Sequence, residues 1–400
     1  MTTAHTLARL PDELIVEIFR QKILSRSDLR NCALVSRRYT EAAQRGLFEE
    51  VDIMIVQHYY GVPNPGLTLK TKYAKQTWSL LKSLVDNERL AHSVRNLRFE
   101  IEKERGFGTD EVAMPLRTTP LLTLSTFLDV APFVRSVHFG TDWTWIGSSD
   151  KLKALEPYKE IRELSLDTLS VEEEVYLARH LGQIDSLRIT SFSDGLLLSR
   201  TPSTTRFDAP FAVLDYPDPL PRGLLPFLAA DCLRLETLKI NFYTARTFDY
   251  SELELLHTLE LYPSLGMSDH SNTGEVRRRQ SKFWKRLCKS PSLRTLSFVS
   301  TEPESPTTPD GLFPIFAPNS TWPPKPIPTL RTMRFKGAVF LDRVLFILSS
   351  PIAQTLTRIV VPSSFGQKGA EDGVNGDEVK LKAIVGMCEG TGIEVYLGNN

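Results

Sequence analysis

Cysteine is scarce in this chain: four residues among 400, at Cys32, Cys232, Cys288 and Cys388, with no Cys-x-x-Cys pair. Such spacing supports neither a disulfide framework nor a zinc ribbon, so a reducing compartment is expected. Net charge is lacking as well, because 48 basic side chains balance 48 acidic ones. No general field therefore draws the chain to nucleic acid or to an anionic membrane. No apolar run approaches the ~20 residues that cross a bilayer, and the first residues lack the basic-then-apolar pattern of a secretory signal. The expectation is a cytoplasmic or nuclear protein with no nucleic-acid partner and no membrane.

Catalytic signatures are missing too. The seven histidines (His5, His58, His92, His138, His180, His257 and His270) never fall at i, i+4 or beside a cysteine pair, so no metal is expected. Gly106-Phe-Gly108 lacks the third glycine of a dinucleotide loop, and there is no Gly-Lys-Ser/Thr phosphate loop and no Gly-x-Ser-x-Gly elbow. Cys388 has Glu389 and Glu394 for neighbours, which would not lower its pKa. The expectation is no catalytic residue, no cofactor and no enzymatic activity.

What is present begins at Leu10–Val51. Pro11 suits a first helical turn and Asp12 and Glu13 favour the positive end of that helix. Leu14, Ile15, Ile18 and Phe19 follow at i, i+1, i+4 and i+5 as an apolar stripe. Ser25 and Asp28 read as a capping box opening a second helix with Leu29, Cys32, Ala33 and Val35. A third helix through Tyr39, Ala42 and Ala43 is expected to end at Gly46 as its C-cap. So small a bundle has little interior, so the broad stripe points to a partner as well as to packing. An ordinary helical cap on the following domain is the alternative.

The segment resembles an F-box. The family pattern falls on Leu10, Pro11, Glu13, Leu14, Ile18, Phe19, Leu29, Val35, Ser36, Arg37, Arg38, Tyr39, Leu47 and Phe48. Tyr39 stands where the family usually has Trp, and the Pro that often precedes the "dL" pair is absent. The resemblance implies that Leu10, Pro11, Leu14, Ile15, Ile18, Phe19, Leu29, Val35 and Tyr39 form or support a surface for a Skp-type adaptor, and through it a cullin.

From residue 90 a six-residue phrase recurs: apolar, two polar, apolar, polar, apolar. Copies start at Val94, Val134, Ile161, Ile184, Leu235, Leu256, Leu293, Leu330 and Leu356, separated by 40, 27, 23, 51, 21, 37, 37 and 26 residues. The 51-residue step has room for a degenerate copy at Phe211-Ala-Val-Leu214, and Ile393–Leu397 reads as a closing edge strand. The alternation inside each phrase marks a short strand. Helical stretches precede several copies, at Ser281–Lys289, Leu225–Ala230 and Leu341–Leu348. One strand plus one helix cannot bury its own apolar side, whereas stacked neighbours can.

The pattern resembles the irregular leucine-rich repeats of fungal F-box proteins, without an asparagine ladder; a doubly wound α/β domain shares the strand–helix rhythm. The expected fold is thus α/β: an F-box domain at 1–51, a linker with a connecting helix at 52–89, and a leucine-rich-repeat horseshoe at 90–400. Leu97, Leu164, Leu187, Leu238, Leu259 and Leu296 should face the interior. The fifth phrase position (Arg98, His138, Ser165, Arg188, Lys239, Glu260, Ser297, Arg334) should face away, because strand side chains alternate. Arg98, Arg188, Lys239 and Arg334 are the candidate target-binding residues on a mildly basic face.

Long interruptions separate the phrases, among them a Pro-rich stretch at Thr301–Pro328 with Ser305-Pro306 and Thr308-Pro309. The basic run Arg277–Arg286 reads as a solvated outer helix with Phe283, Trp284 and Leu287 turned inward, rather than as an import signal. The resemblance implies the substrate receptor of a Skp–cullin–F-box ubiquitin ligase, acting on an unknown target protein. Two other readings stay open: a repeat scaffold whose F-box serves assembly or its own turnover, and a ligand-binding or hydrolytic α/β domain.

Overall fold

The computed structural model describes residues 11–20, 24–35, 37–58, 70–73, 75–104, 117–118, 120–140, 150–169, 173, 176–177, 180–192, 211–216, 234–245, 250–262, 282–299, 326–336, 341–362 and 375–398. The chain divides into two compact units, residues 1–184 and 185–400. Both are mixed α/β.

The first unit opens with three helices: α1 (Asp12–Arg20), α2 (Arg26–Val35) and α3 (Arg37–Glu49). The chain passes directly from α3 into a strand, β1 (Glu50–His58). Next come β2 (Lys70–Tyr73), β3 (Asn96–Glu104), β4 (Arg117–Thr118), β5 (Ser136–Phe139) and β6 (Glu163–Leu169). Their order is β4-β2-β1-β3-β5-β6. β1, β3, β5 and β6 run parallel, with β2 and β4 added antiparallel.

In the second unit every described strand is parallel to its neighbour. The order follows the chain: β7 (Ser186–Phe192), β8 (Val213–Tyr216), β9 (Thr237–Asn241), β10 (Thr258–Tyr262), β11 (Thr295–Val299), β12 (Thr332–Lys336), β13 (Arg358–Pro362) and β14 (Glu394–Gly398). Such short strands cannot stand alone in water. They are held by apolar rows that run across them at the fourth and sixth phrase positions.

Leu187, Leu214, Leu238, Leu259, Leu296, Met333 and Ile359 are in register on β7–β13 and are all fully buried. Two residues on, Phe298 and Phe335 stack at 5.6 Å between centroids. The first unit repeats the arrangement with Leu97, Val137 and Leu164, and with Phe99 stacked on Phe139 at 6.0 Å. Among the described helices, Pro120–Val130 buries Leu124, Phe127 and Leu128, and residues 282–287 bury Phe283, Trp284 and Leu287. The latter is the inward face expected within the basic run; residues 277–281 lie outside the described set.

A backbone feature explains why repeats of unequal length keep one register. The carbonyl at the second phrase position accepts two consecutive N–H groups from the next phrase. Arg95, Arg135, Asp185, Ala212, Glu236, His257, Arg294 and Arg331 all do so, at 2.7–3.1 Å. The bend into each strand is thereby satisfied by its predecessor, and extra residues are left to the connections. The degenerate phrase at Phe211 obeys the same rule and supplies β8.

Two expectations are corrected. The segment 52–89, expected as linker and helix, does carry the helix Lys75–Asp86 but also two strands. Val51 and Ile53 pair with Leu97 and Phe99 and are 3 % and 0 % exposed, so Phe48-Glu-Glu-Val51-Asp-Ile53 is a further copy of the phrase.

Gly46 is not a C-cap, since α3 continues to Glu49. It lies against the end of α1: a Cβ there would stand 2.9 Å from the Phe19 carbonyl oxygen and 3.5 Å from the Leu29 methyl groups. Alanine improves helix propensity by about 1 kcal/mol, but overpacking against a fixed backbone costs about 1–3 kcal/mol. Gly46→Ala is therefore expected to lower stability. Hydrogen exchange in α1 and α3 measures it, and unchanged or slower exchange would contradict the close approach.

Candidate functional site

The three N-terminal helices bury little among themselves. Their interior is Ile15, Phe19, Leu29, Ala42 and Ala43, with Val16, Leu24, Cys32, Ala33, Tyr39 and Leu47 partly buried around it. Apolar positions at i, i+1, i+4 and i+5 cover more of α1 than one packing seam needs. Ile15 and Phe19 turn inward, 2 % and 8 % exposed, and Phe19 meets the Tyr39 ring edge to face at 6.1 Å. Leu14 turns outward, 51 % exposed. Pro11 is exposed and Ile18 half-buried.

α2 opens with the expected capping box. The Ser25 N–H donates to Asp28 Oδ2 at 3.0 Å, and the Asp28 N–H donates to Ser25 Oγ at 3.1 Å. The Ser25 hydroxyl donates to the same carboxylate at 2.6 Å. These bonds favour the ionised form and hold the Asp28 carboxyl below the usual range. Thr40 Oγ1 donates to the Ala33 carbonyl at 2.8 Å across the α2–α3 corner. Arg26 ties α2 to β1 through the Glu50 carbonyl at 3.2 Å and the Asp52 carboxylate at 3.0 Å. Near the end of α2 stands Leu34, 86 % exposed.

Of the nine residues expected to serve an adaptor, Ile15, Phe19 and Leu29 are interior. Pro11 and Leu14 face outward, with Ile18 and Tyr39 between. Leu10 lies outside the described residues, as does the Val35 side chain. Leu34 is not in the expected set. Its signal was nonetheless available, since it falls off the Leu29–Cys32–Ala33 face in a helix too short to have a second interior.

Residues 7–54 match the family of F-box-like domains. The match runs through α1–α3 into β1. No curated protein matches the chain. F-box domains generally bind Skp-type adaptors, and in this F-box-like domain the outward leucines, Leu14 and Leu34, are available for such contact.

The polar strand face within each unit is a further candidate surface, taken separately. In the first unit Arg98, His138 and Ser165 are in register. His138 Nδ1 and Ser165 Oγ lie 2.7 Å apart, and Arg98 pairs with Glu100 at 2.6 Å. In the second unit one row reads Arg188, Asp215, Lys239, Glu260, Ser297, Arg334, Val360, Tyr396 across β7–β14.

The row is less uniform than alternation alone implies. Asp215, Glu260 and Ser297 are buried, at 6 %, 6 % and 2 % exposure. Long side chains two residues further along β10 and β12 reach back across a strand to the carboxylates. The Tyr262 hydroxyl donates to Asp215 at 2.9 Å, and Lys336 Nζ donates to Glu260 at 2.6 Å. Burial raises the Asp215 carboxyl above its ordinary range, against the opposing pull of Arg188, the Tyr262 hydroxyl and Lys239. Burial, reinforced by Asp215, likewise raises the Tyr262 hydroxyl.

Among the described residues no group of three or more His, Cys, Asp or Glu is placed to hold a metal ion. No described helix is long and apolar enough to cross a membrane. Cys388 is 1 % exposed, and burial raises its thiol pKa, which suits packing rather than reactivity.

Proposed function

We propose that this chain is the substrate-recognition subunit of a Skp–cullin–F-box ubiquitin ligase. The F-box-like domain binds the adaptor, and through it the cullin. The strand–helix phrases are irregular leucine-rich repeats of the fungal F-box type, and their polar faces receive the target protein. The chain catalyses nothing itself and holds no cofactor. It raises the effective concentration of the target beside a ubiquitin-charged enzyme, a contribution of proximity alone. A cytoplasmic or nuclear location suits a chain whose four cysteines are so widely spaced.

The observation that carries this reading is the F-box-like match together with outward leucines on a bundle in which five of the described residues form the buried cluster. Affinity purification of the full chain from its own cells tests it. Adaptor and cullin are expected to copurify, and at least one protein retained by the repeats is expected to persist longer when the gene is deleted. Recovery without the adaptor rejects the reading. Recovery with the adaptor but with no stabilised protein supports the scaffold alternative, in which the F-box serves assembly or turnover.

A further inference from the structure

Building on the reading of the repeats as a target-binding region, we propose that the target docks at the β12–β14 end of the second unit's polar face. The contacts are Arg334, Arg358 and Tyr396, and the docked element is a target segment carrying aspartate or glutamate. The charges along the row point there. At the β7–β9 end, Arg188 and Lys239 flank Asp215 in register, and Arg188 Nε lies 3.6 Å from its carboxylate. Both cations there thus already face a buried carboxylate. In the middle, Glu260 already holds Lys336.

Beyond Ser297 the row changes character. Arg334 is exposed, its register neighbours Ser297 and Val360 are uncharged, and among the described residues it has no ion-pair partner. Two strands away stands Tyr396, 44 % exposed, with the Arg358 guanidinium 4.5 Å above its ring. Glu394 positions both, accepting from the Tyr396 hydroxyl at 3.0 Å and from Arg358 at 3.5 Å. The Arg358–Glu394 pair is half-exposed on both sides and so contributes little, which lets an arriving carboxylate share the guanidinium.

Arginine and tyrosine are the side chains that most often dominate binding energy, and half-buried Val360 gives them an apolar floor. Strands lie ~4.8 Å apart, so Arg334 and Tyr396 are about 10 Å apart along the row, or about three residues of extended chain. The docked segment therefore pairs an acidic residue with an aromatic or aliphatic one about three positions away.

A display library of random ten-residue peptides, selected on the full chain, tests this. Enrichment of peptides with Asp or Glu about three residues from an apolar side chain is expected. A representative enriched peptide should lose at least about tenfold in affinity on Arg334→Glu and a similar factor on Tyr396→Ser. Its binding should weaken with salt and change less than about threefold on Arg188→Gln, whose site is already occupied by Asp215. The substituted residues are exposed, and thermal unfolding of each variant confirms the fold. No enrichment, enrichment of peptides without acidic residues, or equal retention by Arg334→Glu overturns the proposal. So does self-association of the chain that Arg334→Glu abolishes while no peptide is enriched. Adaptor copurification is measured on the same variants. It depends on the N-terminal helices, so its absence would reject the ligase reading without touching the peptide result.

Discussion

Leu14→Ala combined with Ile18→Ala is expected to abolish adaptor copurification while leaving both units folded. Leu14 is 51 % exposed, so its truncation removes little from the interior, and Ile18 is half-buried. Interface anchors of this kind cost about 2 kcal/mol or more each when cut back. Two of them together amount to about a thousandfold in affinity. The interior residues Ile15, Phe19 and Leu29 would produce the same loss by unfolding the bundle, so they do not discriminate. Leu34→Ser offers a separate arm on α2: at 86 % exposure it contributes almost nothing to the fold, and a drop in adaptor recovery would extend the surface to that helix. Undiminished recovery by the double variant, with an unaltered circular-dichroism spectrum, would remove the F-box-like domain from adaptor binding.

Much of this architecture was legible because its signals are local and repeated. The capping box is a side-chain exchange over three residues, and Ser25 and Asp28 make it as their spacing implies. Each six-residue phrase contains its own strand, so β3, β5–β7 and β9–β13 all begin at the third residue of a copy. β1 was harder to see. Its phrase overlaps the end of α3: Phe48 and Glu49 still belong to the helix, and the strand begins at Glu50. Gly46 shows the limit of reading a residue by type, since its role depends on the Phe19 carbonyl, 27 positions away in sequence. The Lys151–Glu173 pair, 2.7 Å apart with both side chains 3 % exposed, is illegible for the same reason. The charge along the polar face is not legible from the regular phrases alone, because Asp215 sits in the degenerate one and joins the row only through the β7–β8–β9 register. Once it is included, Arg188 and Lys239 have a carboxylate between them, and Arg334 becomes the cation of interest.

Leu238→Ala should loosen the second unit over more than one strand. Leu238 is fully buried in β9, in register between Leu214 on β8 and Leu259 on β10, which are equally buried. Removing the isobutyl group costs about 2–5 kcal/mol, because packed neighbours close only part of the gap. In a stacked array each repeat is stabilised chiefly by its neighbours, so the loss is shared by three strands rather than confined to one. Even 2 kcal/mol raises the open population about 30-fold, well within reach of amide hydrogen exchange. Faster exchange is expected in β8, β9 and β10, with progressively less effect toward β13 and none in α1–α3. The carbonyl links from Ala212 to Glu236 and Thr237, and from Glu236 to His257 and Thr258, would open with them. Deprotection limited to β9 would show that the strands fold independently, and the stacked-repeat account would then fail. Uniform deprotection of the whole chain would instead mark one cooperative core, as a doubly wound α/β domain would have.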